Sequence, residues 1–278
     1  MVRIRPLAAG DVAEADGVLR DAYHTGQSFA GRLHRYLAVQ PDGWLVAEED
    51  AAVIGMVGAI DYGRFAYVGM MGVRSDRQGR GIGKQLLGTL LAWLDSRGVP
   101  CARLEATDQG RPLYRRLGFV DDGFSHELHL PTTVTRARAS LPVGVAVDRA
   151  EVARLDAHLF GADRDRLWRW LFAAEAGRVL LARDEAGQAG YLCVQEEVLG
   201  PWGAQTPAIA EALLGAALPL VRSPRTRVMV PEQNTAGREL LQLHGWTLDK
   251  VVQHLTRGPV PSLPGWSSLY GKGSYCLG

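Results

Sequence analysis

Residues 78 to 83, Gln78-Gly79-Arg80-Gly81-Ile82-Gly83, constrain this chain more than any other stretch. They follow an apolar extended run, Ala66 to Val73, and open into a helical pattern from Lys84 to Arg97. A strand, a glycine-rich turn and a helix N-terminus make an anion cradle. The first N–H groups of the helix have no intrahelical acceptor, and the helix dipole adds partial positive charge there. Glycine at 79, 81 and 83 lets the backbone turn tightly and approach a phosphate with no Cβ in the way. The stretch predicts a ligand that carries phosphate.

Spacing narrows the choice of ligand. A P-loop needs Gly, four residues, then Gly-Lys-Ser/Thr. Gly83-Lys84 is present, but Gln78 stands at the earlier glycine position and Gln85 at the hydroxyl position. The dinucleotide fingerprint Gly-x-Gly-x-x-Gly fails too, because the glycines are spaced two and two. Three successive strands before residue 74 also argue against a Rossmann fold.

A second pattern lies downstream. Cys101 to Ala106 alternate as a strand, followed by Gly110-Arg111-Pro112-Leu113-Tyr114-Arg115-Arg116-Leu117-Gly118-Phe119. Gln78-x-x-Gly81-x-Gly83 resembles the pyrophosphate loop of the GNAT superfamily of acyl-CoA N-acyltransferases, written Gln/Arg-x-x-Gly-x-Gly/Ala. Leu113-Tyr114-x-x-x-Gly118-Phe119 resembles the Leu-Tyr-x-x-x-Gly-Phe that follows that family's fifth strand. Gly118 suits a helix C′ position that needs positive φ.

The resemblance implies a chemistry for particular residues. Acetyl-CoA would be the co-substrate, with no metal. The backbone of Gln78, Gly79, Arg80, Gly81, Ile82, Gly83 and Lys84 would hold its pyrophosphate, with Arg80 and Lys84 adding positive charge. The pantetheine arm would pair like an extra strand with Met71, Gly72 and Val73, where one N–H polarises the thioester carbonyl. Tyr114, close to the CoA sulfur, would protonate the leaving thiolate. Gly69 and Gly72 fit a bulge and a close backbone approach in that strand.

No residue stands out as the base that takes the amine proton. The strand Ala66–Val73 holds no carboxylate or histidine. His24, Glu48, Asp61, Glu105 and a chain of waters all remain open.

Composition limits the acceptor. At 278 residues the chain makes one large domain or two ordinary ones. A formal net charge of +1 lacks the basic footprint of a nucleic-acid binder. Three scattered cysteines, Cys101, Cys193 and Cys276, suit neither a disulfide framework nor a zinc site. The N-terminus has no signal-peptide core, and no apolar run reaches the roughly 18 residues of a membrane span. Taken with the resemblance, which implies an amine acceptor, these readings point to a cytoplasmic protein, monomer or homodimer, acting on a small-molecule amine, with no nucleic acid and no membrane. An antibiotic or a protein N-terminus is a further acceptor class. A module that binds acetyl-CoA as a signal, without turnover, is the competing reading.

The pattern of elements divides the chain in two. The order β-α-α-β-β-β-α-β-α-β fills residues 1–130 and is the GNAT order. It predicts an α+β fold with a mixed, mostly antiparallel central sheet flanked by helices. Pro131-Thr132-Thr133-Val134 reads as a linker. Residues 135–257 repeat the scheme: Gly110-Arg111-x-Leu113 and Gly118-Phe119 reappear 127 residues later as Gly237-Arg238-x-Leu240 and Gly245-Trp246. Glu105 likewise falls on Glu232.

The second copy departs from the family at its chemistry. Leu241 stands in the place of Tyr114. Gly200-Pro201-Trp202-Gly203-Ala204 stands where a pyrophosphate loop belongs, with a proline that lacks an N–H. The expected organisation is therefore tandem GNAT folds, a catalytic one at 1–130 and a degenerate one at 135–257. Residues 258–278 form a tail that is either disordered or packed on the body.

Overall fold

In a computed structural model of the chain, residues 1–130, 141–175, 177–259 and 266–278 are described. The expected linker Pro131-Thr132-Thr133-Val134 lies outside them, as do residues 260–265 of the expected tail. Two compact units divide the chain, Met1–Val120 with Leu255–Pro261 and Asp121–His254 with Ser262–Gly278.

These boundaries differ from cuts at 130, 135 and 258, and strand pairing gives the reason. Strand β6 (Val120–His129) was expected to close the first domain. Its residues Ser125 to His129 instead pair antiparallel with β11 (Arg227–Pro231) in the second unit. The end of β12 (Thr247–Arg257) belongs to the first unit, where Leu255 is fully buried in the core. There Thr256 Oγ1 lies 3.2 Å from Cys101 Sγ.

The first unit runs β1 (Arg3–Pro6), α1 (Val12–Ala22), α2 (Ala30–Val39), β2 (Trp44–Glu49), β3 (Ala52–Asp61), β4 (Ala66–Val73), α3 (Ile82–Ser96), β5 (Ala102–Ala106) and α4 (Arg111–Arg116). Neighbouring strands from β1 to β4 pair antiparallel, and β4 pairs parallel with β5. The parallel step needs a crossover, which α3 supplies. Leu86, Leu87, Leu90, Leu91 and Leu94 recur at helical spacing and pack with Val57, Ala59, Val68 and Leu104. Each such leucine contributes about 1.5–3 kcal/mol relative to exposure. On the other face, Leu19 and Ala22 of α1 close on Gly72, where a built Cβ would lie 3.2 and 3.1 Å from them.

The second unit holds β7 (Val143–Val145), α5 (Arg149–Phe160), α6 (Asp165–Ala174), β8 (Val179–Arg183), β9 (Ala189–Val194), β10 (Leu199–Ala204), α7 (Pro207–Ala217), α8 (Thr235–Leu243) and β13 (Leu269–Gly271), besides β6, β11 and most of β12. A five-stranded sheet has the order β13-β10-β9-β8-β7. The sequence repeat is structural. Gly118 and Gly245 take φ of 86° and 83° after α4 and α8, and Phe119 and Trp246 are both buried. The architecture is the mixed, mostly antiparallel sheet with flanking helices, made twice.

This unit corrects one sequence expectation and decides between the two alternatives left for the tail. Gly200 to Ala204 form a strand, not a loop: all six residues of β10 are buried and they pair with β9. Pro201 fits because the register shifts between Leu199 and Trp202, and a bulge tolerates a missing donor. The described part of the tail is packed, with Trp266, Tyr270, Cys276 and Leu277 buried. Arg164 fixes its end, donating to the Gly278 carbonyl at 3.0 Å while its guanidinium pairs with buried Asp156.

Candidate active site

The site begins where β4 leaves β5. Their parallel pairing covers only Ala66 with Ala102 and Tyr67 with Arg103, so the strands separate from Val68 and Leu104 onward. A bulge causes part of this divergence. Opposite β3, Gly58 pairs with Gly69 and Met56 with Gly72, leaving Met70 and Met71 against the single residue Val57. Sequence placed a bulge at Gly69 and Gly72. The structure puts it between them, with the positive φ of 53° on Met70.

The bulge also reverses the alternation of side chains. Ala66 and Val68 face α3, and after the bulge Met71 and Val73 face it, packing on the same core. A Cβ built on Gly83 would touch Met71 Cε at 3.0 Å and Leu113 Cδ2 at 3.3 Å, so glycine here sets the approach of α3 to the sheet.

Hydrogen bonds select among the three main-chain groups expected to meet the acyl carrier. The Arg74 N–H bonds to the Ile54 carbonyl at 2.9 Å. Antiparallel alternation then commits Gly72 to Met56 and turns the Val73 N–H and carbonyl away from β3, toward the opened side. The Val73 carbonyl accepts the Gln78 side-chain amide at 3.0 Å. The Met71 carbonyl accepts the Tyr23 hydroxyl at 3.1 Å. Of the three, Val73 carries an N–H aimed into the wedge.

The cradle follows directly. Gly79 and Gly81 take φ of 76° and 78°, and Gly81 is the N-cap of α3. A Cβ at either position would meet nothing within 4 Å, so the demand is conformational and the space beside the loop is open. Gln85 donates to the Gly81 carbonyl at 3.1 Å, and the N–H groups of the turn before it have no acceptor in the helix. Gln78, Gly79, Arg80, Gly81 and Lys84 are exposed, whereas Ile82 is buried in the core beneath them. An open, glycine-bent loop at a helix N-terminus, beside a strand wedge, fits an acyl carrier bearing a pyrophosphate.

The Arg80 side chain has another occupation. Its guanidinium makes a bidentate pair with Glu49 at the end of β2, at 2.9 and 2.6 Å, and Arg77 lies 3.4 Å from the same carboxylate. The Arg80 hydrogen bonds hold the Glu49 carboxyl below its usual range. Arg80 therefore offers the cradle its backbone, and Glu49 braces the loop. No motif marked Glu49; its place at the end of a buried strand, directly before the Asp50-Ala51 turn with positive φ, was the only signal.

Tyr114 is 7% exposed on α4, edge-on to Phe119 at 5.9 Å between ring centroids. A Cβ on Gly110 would strike its ring at 2.8 Å, so the glycine leaves room for the tyrosine. The four candidate bases separate by position. Glu48 pairs with Arg5 at 2.6 Å. Asp61 sits opposite Ala66, at the far end of β4 from Val73, and pairs with Arg97 at 2.8 Å. His24 is exposed at the end of α1 with φ of 49°. Glu105 lies on β5 within the separated stretch. Its neighbours Leu104 and Ala106 belong to the α3-side core, so Glu105 faces the side on which α1 packs.

One cluster elsewhere has ligand-type atoms close together, those of Glu127, His129 and Asp249 within 4.8 Å. The chain supplies its own cations there, with Lys250 at 3.4 Å and Arg227 at 3.6 Å from Glu127. The three cysteines are buried. No helix among the described residues is long and apolar enough to cross a membrane.

Comparison with known proteins bears on each half separately. Residues 13–119 match the Acetyltransferase (GNAT) family, and residues 152–271 match an Acetyltransferase (GNAT) domain. The chain is a tandem GNAT acyltransferase. It is 27% identical over 238 residues to the Bacillus subtilis protein YitH, described as an uncharacterized N-acetyltransferase, covering 81% of each chain. The crystal structure of a proposed acetyltransferase from Pyrococcus horikoshii superposes with a TM-score of 0.87 at 26% identity, covering 100% of this chain and 96% of that one. A tandem GNAT protein from the clavulanic acid biosynthesis pathway shares the fold, with a TM-score of 0.66, 17% identity, and 94% and 100% coverage.

Proposed function

We propose that the first unit transfers an acetyl group from acetyl-CoA directly to the amine of a small molecule. The observation that carries this reading is the adjacency of two features on one chain segment. The wedge between β4 and β5 ends at Val73, and the anion cradle begins at Gln78, hydrogen-bonded back to it. A ligand with an extended amide-bearing arm and a pyrophosphate fits that order of features, the arm on the strand edge and the phosphates on the loop.

The residues then take roles. Backbone N–H groups from Gln78 to Lys84 hold the pyrophosphate, and Lys84 adds a cation on the first turn of α3. The Val73 N–H polarises the thioester carbonyl as the amine nitrogen attacks it, a kind of contact worth about 2.7–4 kcal/mol in enzymes generally. As the C–S bond breaks, Tyr114 gives its proton to the thiolate. Glu105, facing the acceptor side of the wedge, receives the proton that the amine loses. Amine and thioester become amide and thiol, and exchange with solvent takes the proton from Glu105 and restores the one on Tyr114. In this reading the protein works in the cytoplasm as a monomer or homodimer, with neither nucleic acid nor membrane as partner.

The test is release of free CoA thiol from acetyl-CoA across a panel of small amines. Turnover that depends on the amine, and that Tyr114→Phe reduces about 10²–10⁴-fold with the acetyl-CoA KM unchanged, supports the reading. Tight binding of acetyl-CoA with no turnover on any amine would favour a sensor module instead.

A further inference from the structure

The second unit has its own strand wedge, and the chain itself fills it. Beyond the β9 edge, β10 is laid out as β4 is: it ends an antiparallel meander, precedes a helix, and meets a following strand in parallel. The meeting is short, a single bridge from Val198 to Arg227 with the Arg227 N–H on the Glu197 carbonyl at 3.0 Å. The first unit has a comparable parallel base with the donor and acceptor strands exchanged, where the Ala66 N–H bonds to the Cys101 carbonyl at 2.8 Å. Above that base β4 and β5 part, and β10 and β11 part as well.

In the second unit the gap holds β13. Trp202 pairs with Gly271 and Gly203 with Leu269 along the edge of β10 that corresponds to the open edge of β4. On the other side the Lys272 N–H bonds to the Met229 carbonyl of β11 at 2.9 Å. A Cβ on Gly271 would lie 2.6 Å from the Leu199 carbonyl and 3.2 Å from Val228, so only a glycine lets the tail pass between the two strands. Leu269 and Tyr270 are each 2% exposed.

The repeat shows how the tail is held. Thr107 and Asn234 stand 127 residues apart, and each accepts an N–H from the glycine three residues on, Gly110 at 3.2 Å and Gly237 at 2.7 Å; of the two, Asn234 is the N-cap of its helix. Asn234 has an amide group in addition, and its Nδ2 donates to the Leu269 carbonyl at 2.9 Å. The residue that caps α8 thus also fixes β13.

We propose that β13 is the resident occupant of the second unit's wedge, pairing with β10 as an extended ligand arm would pair with β4. Each chain then presents one wedge to an acyl carrier. The comparison with β4 rests on the proposed function of the first unit; the occupancy of the β10 edge does not.

Residue-resolved hydrogen exchange on the full chain, with and without acetyl-CoA, tests this. The β10 amides on its β13 edge, as distinct from those bonded to β9, should exchange slowly without ligand, and acetyl-CoA should slow exchange at β4 and residues 78–84 only. Gly271→Val, which drives a side chain into the Leu199 carbonyl, should abolish the slow exchange of those edge amides. Rapid exchange of the edge amides without ligand, slowing on acetyl-CoA addition, would overturn the proposal, as would slow edge exchange that survives Gly271→Val. Slow edge exchange with no acetyl-CoA effect at β4 would uphold the occupant and overturn the cofactor reading of the first unit.

Discussion

The Gln78 side-chain amide reaches back across five residues to donate to the Val73 carbonyl at 3.0 Å. Its carbonyl oxygen accepts from Gln109 at 3.2 Å. The first residue of the glycine-rich loop is therefore a brace between the end of β4 and the segment leaving β5. It fixes the cradle relative to the wedge, and in the proposed reading the backbone behind it makes the phosphate contacts.

Gln78→Ala should weaken acetyl-CoA binding about twofold to twelvefold, the effect of losing roughly 0.5–1.5 kcal/mol of hydrogen bonding. The fold should be unaffected, since Gln78 is exposed. Calorimetric titration of the variant measures this, and an unchanged affinity would remove the brace from the account.

Glu105→Gln keeps the size of the side chain and removes its capacity to take a proton. Turnover should fall about 10²–10⁴-fold, the usual range for a general base, while the acetyl-CoA KM holds. Steady-state kinetics with both substrates varied separates the two effects. A variant as fast as the parent would assign the proton to water.

Acid should destabilise the second unit through Glu127. Burial pushes this carboxyl up, but the Tyr275 hydroxyl at 2.5 Å, Lys250, Arg227 and His129 together hold it below its usual range. A carboxyl whose folded pKa is depressed stabilises the fold above its unfolded value, about 4.3, and that contribution is lost as pH falls through the lower folded value. Thermal unfolding followed below about pH 4.3 should show a steep loss that Glu127→Gln flattens. Parallel curves for both proteins would mean that Glu127 is not linked to folding.

Much of this was legible in the sequence because regular elements carry regular patterns. The α3 leucines repeat at helical spacing, and Gly79, Gly81, Gly118 and Gly245 occupy positions with positive φ. What escaped depended on long-range pairing. Val120 to His129 read as a closing strand in either case, and nothing in its pattern names β11 as its partner. Gly200-Pro201-Trp202-Gly203 has the composition of a loop, yet tertiary packing buries it as a strand whose proline falls in a bulge. The positive φ of Met70, which stands between Gly69 and Met71, belongs to the fold and not to the residue. The Arg80–Glu49 pair joins positions 31 residues apart that no motif connects.

The central claim is that one chain holds one acyl-carrier site, in its first unit. Calorimetric titration of the full chain with acetyl-CoA tests it most directly. The account predicts one site per chain, lost in Gly81→Val because a β-branched residue is strained at φ of 78°. Two sites per chain, or one site that survives Gly81→Val, would contradict it.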